Sequence, residues 1–287
     1  MTTAVNLIIA ATVLASIYGL INVGFVLLYR TTGVINFAQG HFMLLGAFAM
    51  WALTQVLPYG ISLIITVAVL AAIGAVIYLV LMRFLLGAKE FTKVITTLML
   101  ATILLQVPAV IWGTAIRILQ PPTRAVIPLH GVQVEVSDVL IVFEATLVVV
   151  ALMLIVNRTV VGTRMRAVAT DETLAIYAGI RVHRLAAIAW GLAGAGAALA
   201  GISYAQRSGV GLSIPAVGLG AFPAVIIGGM DSIGGSLIGG VIVAFVQTLA
   251  TYQFGVIYGE VISYLLMLGV LLVLPTGLFG SVEGRRL

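Results

Sequence analysis

Asn36, Gln39, Gly40 and His41 stand close together in the run Gly33-Val34-Ile35-Asn36-Phe37-Ala38-Gln39-Gly40-His41-Phe42-Met43. Two carboxamides, an imidazole and a residue without a side chain could line a path for a small polar solute. They would replace the hydrogen bonds that the solute loses on leaving water. Polar groups at membrane depth are costly, and they tend to face the bundle interior, pair with one another or line a pathway. A helix N-terminus is the competing reading, with Asn36 as the cap and the rest at headgroup level. Sequence leaves both open.

A second group of chemistry-bearing residues fills the stretch from Asn157 to Arg184. It carries Arg158, Arg164, Arg166, Arg181 and Arg184, the adjacent acids Asp171 and Glu172, and Gly162 and Gly179. From Thr163 to Ile180 the chain can form short helices on a membrane surface, with Glu172, Ala175, Ile176 and Gly179 on one face. Arg166, Asp171, Glu172 and Gly179 are the candidates for seating a soluble partner. The arginines equally fit the bias of basic residues toward the cytoplasmic side, or contact with lipid headgroups. The acids and the closing glycine are not required by topology.

The third group is the glycine set from Gly228 to Gly240, in which Gly235 and Gly239 form a GxxxG pair and Ser236 and Gly240 a second small pair. Such spacing lets a neighbouring helix approach closely. Gly191, Gly194, Ala195, Ala197, Ala198 and Gly201 repeat the pattern upstream. A phosphate loop of the GxxxxGK[ST] type is absent, so the chain is not itself an ATPase. No cofactor or metal is implied.

These groups must be positioned by membrane-spanning helices. Of the 287 residues 62% are hydrophobic and 8% charged, with a mean hydropathy of +1.24, whereas soluble domains carry about 25% charge. A spanning helix takes about 20 mostly apolar residues. Spans fall at roughly 5–28, 35–56, 61–82, 94–112, 138–156, 185–205, 236–254 and 257–274. The run at about 214–229 is short and broken by Pro215, Gly218, Gly220 and Pro223, as a broken or re-entrant helix would be. The fold class is therefore an all-α polytopic membrane protein of about eight or nine transmembrane helices. Cysteine is absent, which excludes disulfides, thiol catalysis and cysteine-based metal sites. No Lys or Arg precedes Arg30, so the first apolar run reads as a retained span and not as a cleaved signal.

The basic residues set the expected orientation. Arg30, the Arg83-Lys89-Lys93 loop, the arginine island and Arg285-Arg286 all fall on one side if the chain crosses nine times, with the N-terminus periplasmic and the C-terminus cytoplasmic. If 214–229 does not cross, the count is eight and the N-terminus moves inside. The net charge of +5 is explained by these loops and implies no nucleic acid partner. Glu144 and Glu260 lie near the outer span ends.

Gly33-Val34-Ile35-Asn36-Phe37-Ala38-Gln39-Gly40 resembles the signature of branched-chain amino acid ABC transporter permeases of the LivH type. Arg164-Met165-Arg166-Ala167 followed by Asp171 and Gly179-Ile180 is similar to that family's cytoplasmic segment, and Gly228-Gly229 with Ser232-Ile233-Gly234-Gly235 resembles its late glycine motif. The resemblance runs over nearly the whole chain. It implies a type II-like importer permease in which 1–287 is a single transmembrane domain with a coupling segment at about 158–184. The implied setting is the bacterial inner membrane, and the implied partners are a second, LivM-type permease, two ATP-binding subunits that hold the ATP, and a periplasmic substrate-binding protein. Under that resemblance Asn36, Gln39, Gly40 and His41 belong to the translocation pathway.

Two positions depart from the family pattern. Thr173-Leu174-Ala175 stands where importer permeases often have Glu-Ala-Ala before the glycine, and Gln39 occupies a position that is often His. The second departure is compatible with a related cargo such as urea or an amide. The alternative function is a stand-alone secondary transporter or channel, which needs acids or His deep in the spans as an ion relay. Mid-span positions are nearly bare of them. A membrane enzyme would need paired acids or clustered His, yet His41, His130 and His183 are scattered over loops and span ends.

Overall fold

The computed structural model describes residues 2–85, 87–129 and 132–280. In chain order the helices are α1 (Thr2–Thr32), α2 (Gln39–Thr54), α3 (Tyr59–Val80), α4 (Glu90–Trp112), α5 (Val136–Arg158), α6 (Val160–Thr170), α7 (Glu172–Tyr177), α8 (Val182–Ser208), α9 (Ile214–Gly220), α10 (Phe222–Gly228), α11 (Ile233–Phe254) and α12 (Val256–Val273). Among the described residues seven helices are long and apolar enough to cross a membrane, and α2 and the α9–α10 pair are shorter. Arg285 and Arg286, part of the orientation argument, lie outside the described residues, as does His130.

Side-chain pairings fix how the passes alternate. Gln206 donates to the Tyr59 hydroxyl at one end of the α3–α8 pair, and Tyr78 meets His183 at the other, so these helices are antiparallel. Asn22 reaches the Ser236 carbonyl while Tyr18 reaches Gln247, so α1 and α11 are antiparallel as well. Gly228 lies on Gly235, and Ala224 on Gly239. The α9–α10 pair therefore carries the chain from the end where α8 finishes to the end where α11 begins. Its break falls at Ala221, between two seven-residue helices that each carry a proline in the first turn. Among the described residues the chain thus makes nine passes through the bundle. Thr2 sits at one end, with 113–129, 132–135 and Gly255; the segment 159–181 sits at the other, with 229–232 and 274–280.

Helix α8 is the axis of the bundle: 78% of its most apolar window is buried, against 11% for α12. Lipid tails are as apolar as leucine, so burial alone does not drive these helices together, and close van der Waals packing must. Small residues make that approach possible. A Cβ on Gly194 would lie 2.6 Å from the Leu70 carbonyl of α3, and one on Gly46 would lie 2.5 Å from the Ala198 Cα. Gly201 rests on the Met43 backbone and Gly74 on the Trp190 carbonyl. Helices α2 and α3 are thereby drawn onto one small-residue helix, and Trp190 fills the interior on α8 itself.

Two local features differ from the sequence expectation. The proline-rich loop contains an antiparallel hairpin, β1 (Val126–Leu129) with β2 (Val132–Glu135), Val126 opposite Glu135. It lies beside a backbone bridge between Arg117 and Val210. Helix α2 begins at Gln39, not at 35, because Gly33 adopts φ +61° after α1 and the next residues stay unwound.

If the glycine contacts hold the bundle together, Gly201→Ala will overpack the α2–α8 contact and cost about 1–3 kcal/mol. Gly234→Ala, where a Cβ meets nothing within 4 Å, will leave the protein as stable or slightly more so, since alanine is the better helix former. Thermal unfolding of the two variants in detergent checks the contrast.

Candidate functional site

The unwound run after Gly33 carries the chain back between helices. Gln39 donates through Nε2 to the Ala193 carbonyl near the middle of α8 at 3.0 Å, and it packs on Gly24, about two turns inside the end of α1. Asn36 and Gln39 therefore lie at depth, not at headgroup level, and are 1% and 0% exposed. Non-helical backbone is tolerated there only when protein satisfies its polar groups. Asn36 Oδ1 accepts from the Ala38 N–H at 3.0 Å, and Asn36 Nδ2 donates to Gln39 Oε1 at 3.2 Å. Thr97 of α4 donates to the Ile35 carbonyl at 3.3 Å and accepts from the Phe37 N–H at 3.4 Å. Helix α2 itself has Ala38 as its N-cap, which offers no side-chain cap. Asn36 thus closes a turn two residues long instead of capping the helix.

Gly40 stands apart from the hydrogen bonds. A Cβ there would lie 2.6 Å from the Pro215 carbonyl oxygen and 3.3 Å from the Gly218 Cα, so α2 and α9 meet backbone to backbone. Phe25 and Phe37 clasp Phe222 of α10 with ring centroids 6.0 and 5.5 Å away. His41 is half-buried, and its Nδ1 has no hydrogen-bond partner among the described residues. Asn36, Gln39 and Gly40 are thus gathered into one packed node, and His41 lies beside it. Sequence reasoning missed Thr97, one of several hydroxyls in an apolar span. It also missed Asn22 and Gln247, which bond α1 to α11 (Asn22 Nδ2 to the Ser236 carbonyl, 2.9 Å; Tyr18 hydroxyl to Gln247 Oε1, 2.6 Å).

At the C-terminal end of α1, the island folds into α6 and α7. Thr159 caps α6 by accepting from the Gly162 N–H, and Gly162 packs directly on the Val156 backbone. Arg166 turns back to donate to the Val156 carbonyl at 2.5 Å and to Thr163 at 3.2 Å. That contact satisfies a C-terminal carbonyl of α5 and braces α6 against it. Asp171 caps α7, its Oδ1 accepting from the Leu174 N–H at 2.9 Å. Gly179, at φ +79°, ends α7: its N–H reaches the Ile176 carbonyl, and the Ile180 N–H reaches the Ala175 carbonyl. The side chain of Glu172 lies outside the described residues.

Met165, Val168 and Ala175 face inward, while Leu174, Ile176 and Tyr177 are exposed at 65%, 55% and 83%. Nothing within 4 Å would meet a Cβ on Gly179. Arg166 and Asp171 therefore serve the platform's own architecture, and its outward surface has an apolar tip, with Arg164, Arg181 and Arg184 of the same segment exposed as well. Counting charges alone did not reveal this apolar tip. The i, i+2, i+3 spacing of Leu174, Ile176 and Tyr177 was the available signal.

Gly235 and Gly239 of α11 face Gly228 and Ala224 of α10. The segment after α12 closes over this contact, with the Leu278 and Phe279 N–H groups bonded to the Ile227 and Gly228 carbonyls at 2.7 and 3.2 Å. Among the described residues no three His, Asp or Glu come together to hold a metal.

The Asn36–Gln39 node yields a discriminating experiment. Gln39→Leu removes one interhelical hydrogen bond, to the Ala193 carbonyl, worth about 0.6 kcal/mol in a membrane protein, and the local one from Asn36. We expect a small fall in melting temperature, matched by loss of uptake only in so far as folded protein is lost. A solute-contacting role would instead abolish uptake at unchanged stability.

Comparison with known proteins is consistent with this geometry over nearly the full length. Residues 7–271 match the family model described as "Branched-chain amino acid transport system / permease component". The chain is 27% identical to the high-affinity branched-chain amino acid transport system permease protein BraD of Pseudomonas aeruginosa, with 94% of each chain covered. It is 28% identical to the corresponding permease LivH of Escherichia coli K12, covering 95% of this chain and 94% of that one. Among solved structures it is similar to PsaBC from Streptococcus pneumoniae in complex with Fab, at a TM-score of 0.49 and 16% identity over 93% of this chain and 91% of that chain. A multi-pass helical bundle matched across 7–271 in this way belongs to the family of permease components of branched-chain amino acid transport systems.

Proposed function

We propose that this chain is one permease subunit of an ATP-binding cassette importer that moves branched-chain amino acids across the bacterial cytoplasmic membrane. It works with a second permease, two ATPase subunits and a periplasmic binding protein. The observation that carries the reading, beyond family membership, is the platform at the island end. An apolar tip of Leu174, Ile176 and Tyr177 stands exposed on a scaffold capped at each helix start and braced to α5 by Arg166. A soluble partner with an apolar groove fits that tip, and the exposed arginines of the same segment fit acidic residues at the rim of such a groove.

The mechanical consequence follows from the connections. The platform continues directly into α5 on one side and α8 on the other, and α6 also packs on α1. A push on α7 by an ATPase closing around ATP is therefore delivered to the central helix and two of its neighbours. Packed helices shift as bodies and do not deform continuously. Solute would then pass from the N-terminal, periplasmic end of the bundle to the island end in the cytosol.

Orientation has a direct check in a cysteine-free chain. Thr170→Cys, an exposed position at the end of α6, will react with a membrane-impermeant thiol reagent only after the cytosolic face is opened; labelling from the periplasm would invert the arrangement. Coupling has its own. Interface energy concentrates in a few anchors, so Ile176→Glu combined with Tyr177→Ala will lower ATPase co-purification by roughly tenfold or more while the permease remains in the membrane. Full recovery of the complex, with normal substrate-stimulated hydrolysis, would remove the platform from the mechanism.

A further inference from the structure

At the N-terminal end of the bundle, α1, α8 and α11 enclose a cleft of about 480 Å³, within the size range of small-molecule sites. Its two walls differ in kind. Leu7, Leu14 and Ile17 of α1 form an aliphatic wall, and Arg207 of α8 with Gln247 and Thr248 of α11 form a polar one. Arg207 is held from behind: its Nε lies 3.4 Å from Oδ1 of Asp138, whose side chain is 9% exposed. The terminal nitrogens of Arg207 have no acceptor among the described residues. Gln247 is also fixed in orientation, because its Oε1 accepts from the Tyr18 hydroxyl at 2.6 Å. Its amide N–H groups are left over.

An anchored guanidinium with its fork free matches a carboxylate, which it can bind through two parallel hydrogen bonds. The amide of Gln247 adds a donor, and the Thr248 hydroxyl supplies an acceptor for an ammonium group. A branched aliphatic side chain would lie on the α1 wall. We infer that this cleft is a binding site for a zwitterionic aliphatic amino acid, its carboxylate on Arg207 and its side chain against Leu14 and Ile17. The site deepens the transport reading and rests on it for its direction, since it opens at the end where solute arrives. A phospholipid offers similar chemistry, an anionic group on an aliphatic tail, and is the rival occupant.

The test uses the complete transporter in membrane vesicles, with Ser208→Cys, an exposed lining position given no contact to the ligand, as the only thiol in this chain and a methanethiosulfonate reagent as the probe. Leucine at about ten times its dissociation constant should slow modification roughly tenfold, because only the unoccupied fraction reacts. Leucinol, which lacks the carboxylate, should not. Arg207→Gln should abolish the protection. Leu14→Trp, which fills the cleft and leaves the ion pair intact, should abolish the effect of leucine without unfolding the chain. Thr173→Cys on α7 should be indifferent to leucine throughout. Equal labelling with and without leucine overturns the site, as does protection that survives in Arg207→Gln. A block to labelling that is indifferent to leucine and disappears on delipidation assigns the cleft to phospholipid and also overturns it. Leucine uptake measured in the same vesicles separates the two claims: uptake without protection rejects the cleft alone, and protection without uptake supports the cleft while counting against the transport reading.

Discussion

In a chain that is 62% hydrophobic, a backbone N–H or C=O that leaves its helix inside the bundle has to find its partner in the protein, because hydrocarbon offers none. The turn after Gly33 shows what this demands. Its backbone groups are taken up by Asn36 and by Thr97 of α4, and Gln39 then ties the turn to the Ala193 carbonyl of α8. Three helices are fixed relative to one another by the need to satisfy one irregular segment. Movement of α2 alone would strand these groups, so the node makes α2, α4 and α8 a single body.

Close backbone packing extends that body. Gly40 against α9, Gly46 and Gly201 between α2 and α8, and Gly191 and Gly194 against α3 leave no side-chain layer to yield between the helices. The α10–α11 pair is built in the same way through Gly228, Gly235 and Gly239. Between α1 and α11 the contact is polar as well, through Asn22 and the Tyr18–Gln247 pair. Such a bundle suits a protein whose parts have to move as units. The platform at the island end is joined to it through continuous chain into α5 and α8 and through the Arg166 brace, so force applied there has no loose joint to dissipate in.

The two ends of the bundle solve different problems with arginine. At the island end most arginines are exposed, as is the apolar tip, and Arg166 alone is turned inward as a helix brace. At the other end Arg207 is paired with a buried carboxylate on α5, and Arg117 lies over the Trp51 ring with its Cζ 5.1 Å from the centroid. The same side chain anchors a helix end, covers an aromatic face or presents an open fork according to what lies beside it, because its planar group has five donors to distribute.

The sequence by itself determined the membrane setting, the long spans, the break near 214–229 and the small-residue character of the eighth and eleventh helices. Each of these is a local property of composition, spacing or helix-breaking residues, read within a window of about 20 positions. It also carried the family motifs. Tertiary structure alone decided which polar groups meet. Gln39 and Ala193 are 154 positions apart and Asn22 and Ser236 are 214 apart, and no local periodicity encodes either pairing. The ninth pass was decided there too, since α9 and α10 are each only seven residues long and cross as one unit through contact with α2 and α11. The island shows the same division. Its charges were legible, but the inward turn of Arg166, the capping role of Asp171 and the exposure of Leu174, Ile176 and Tyr177 depend on where the ends of α5 and α8 hold it. A side chain's chemistry is written in the sequence; what it faces depends on helices that arrive from elsewhere in the chain.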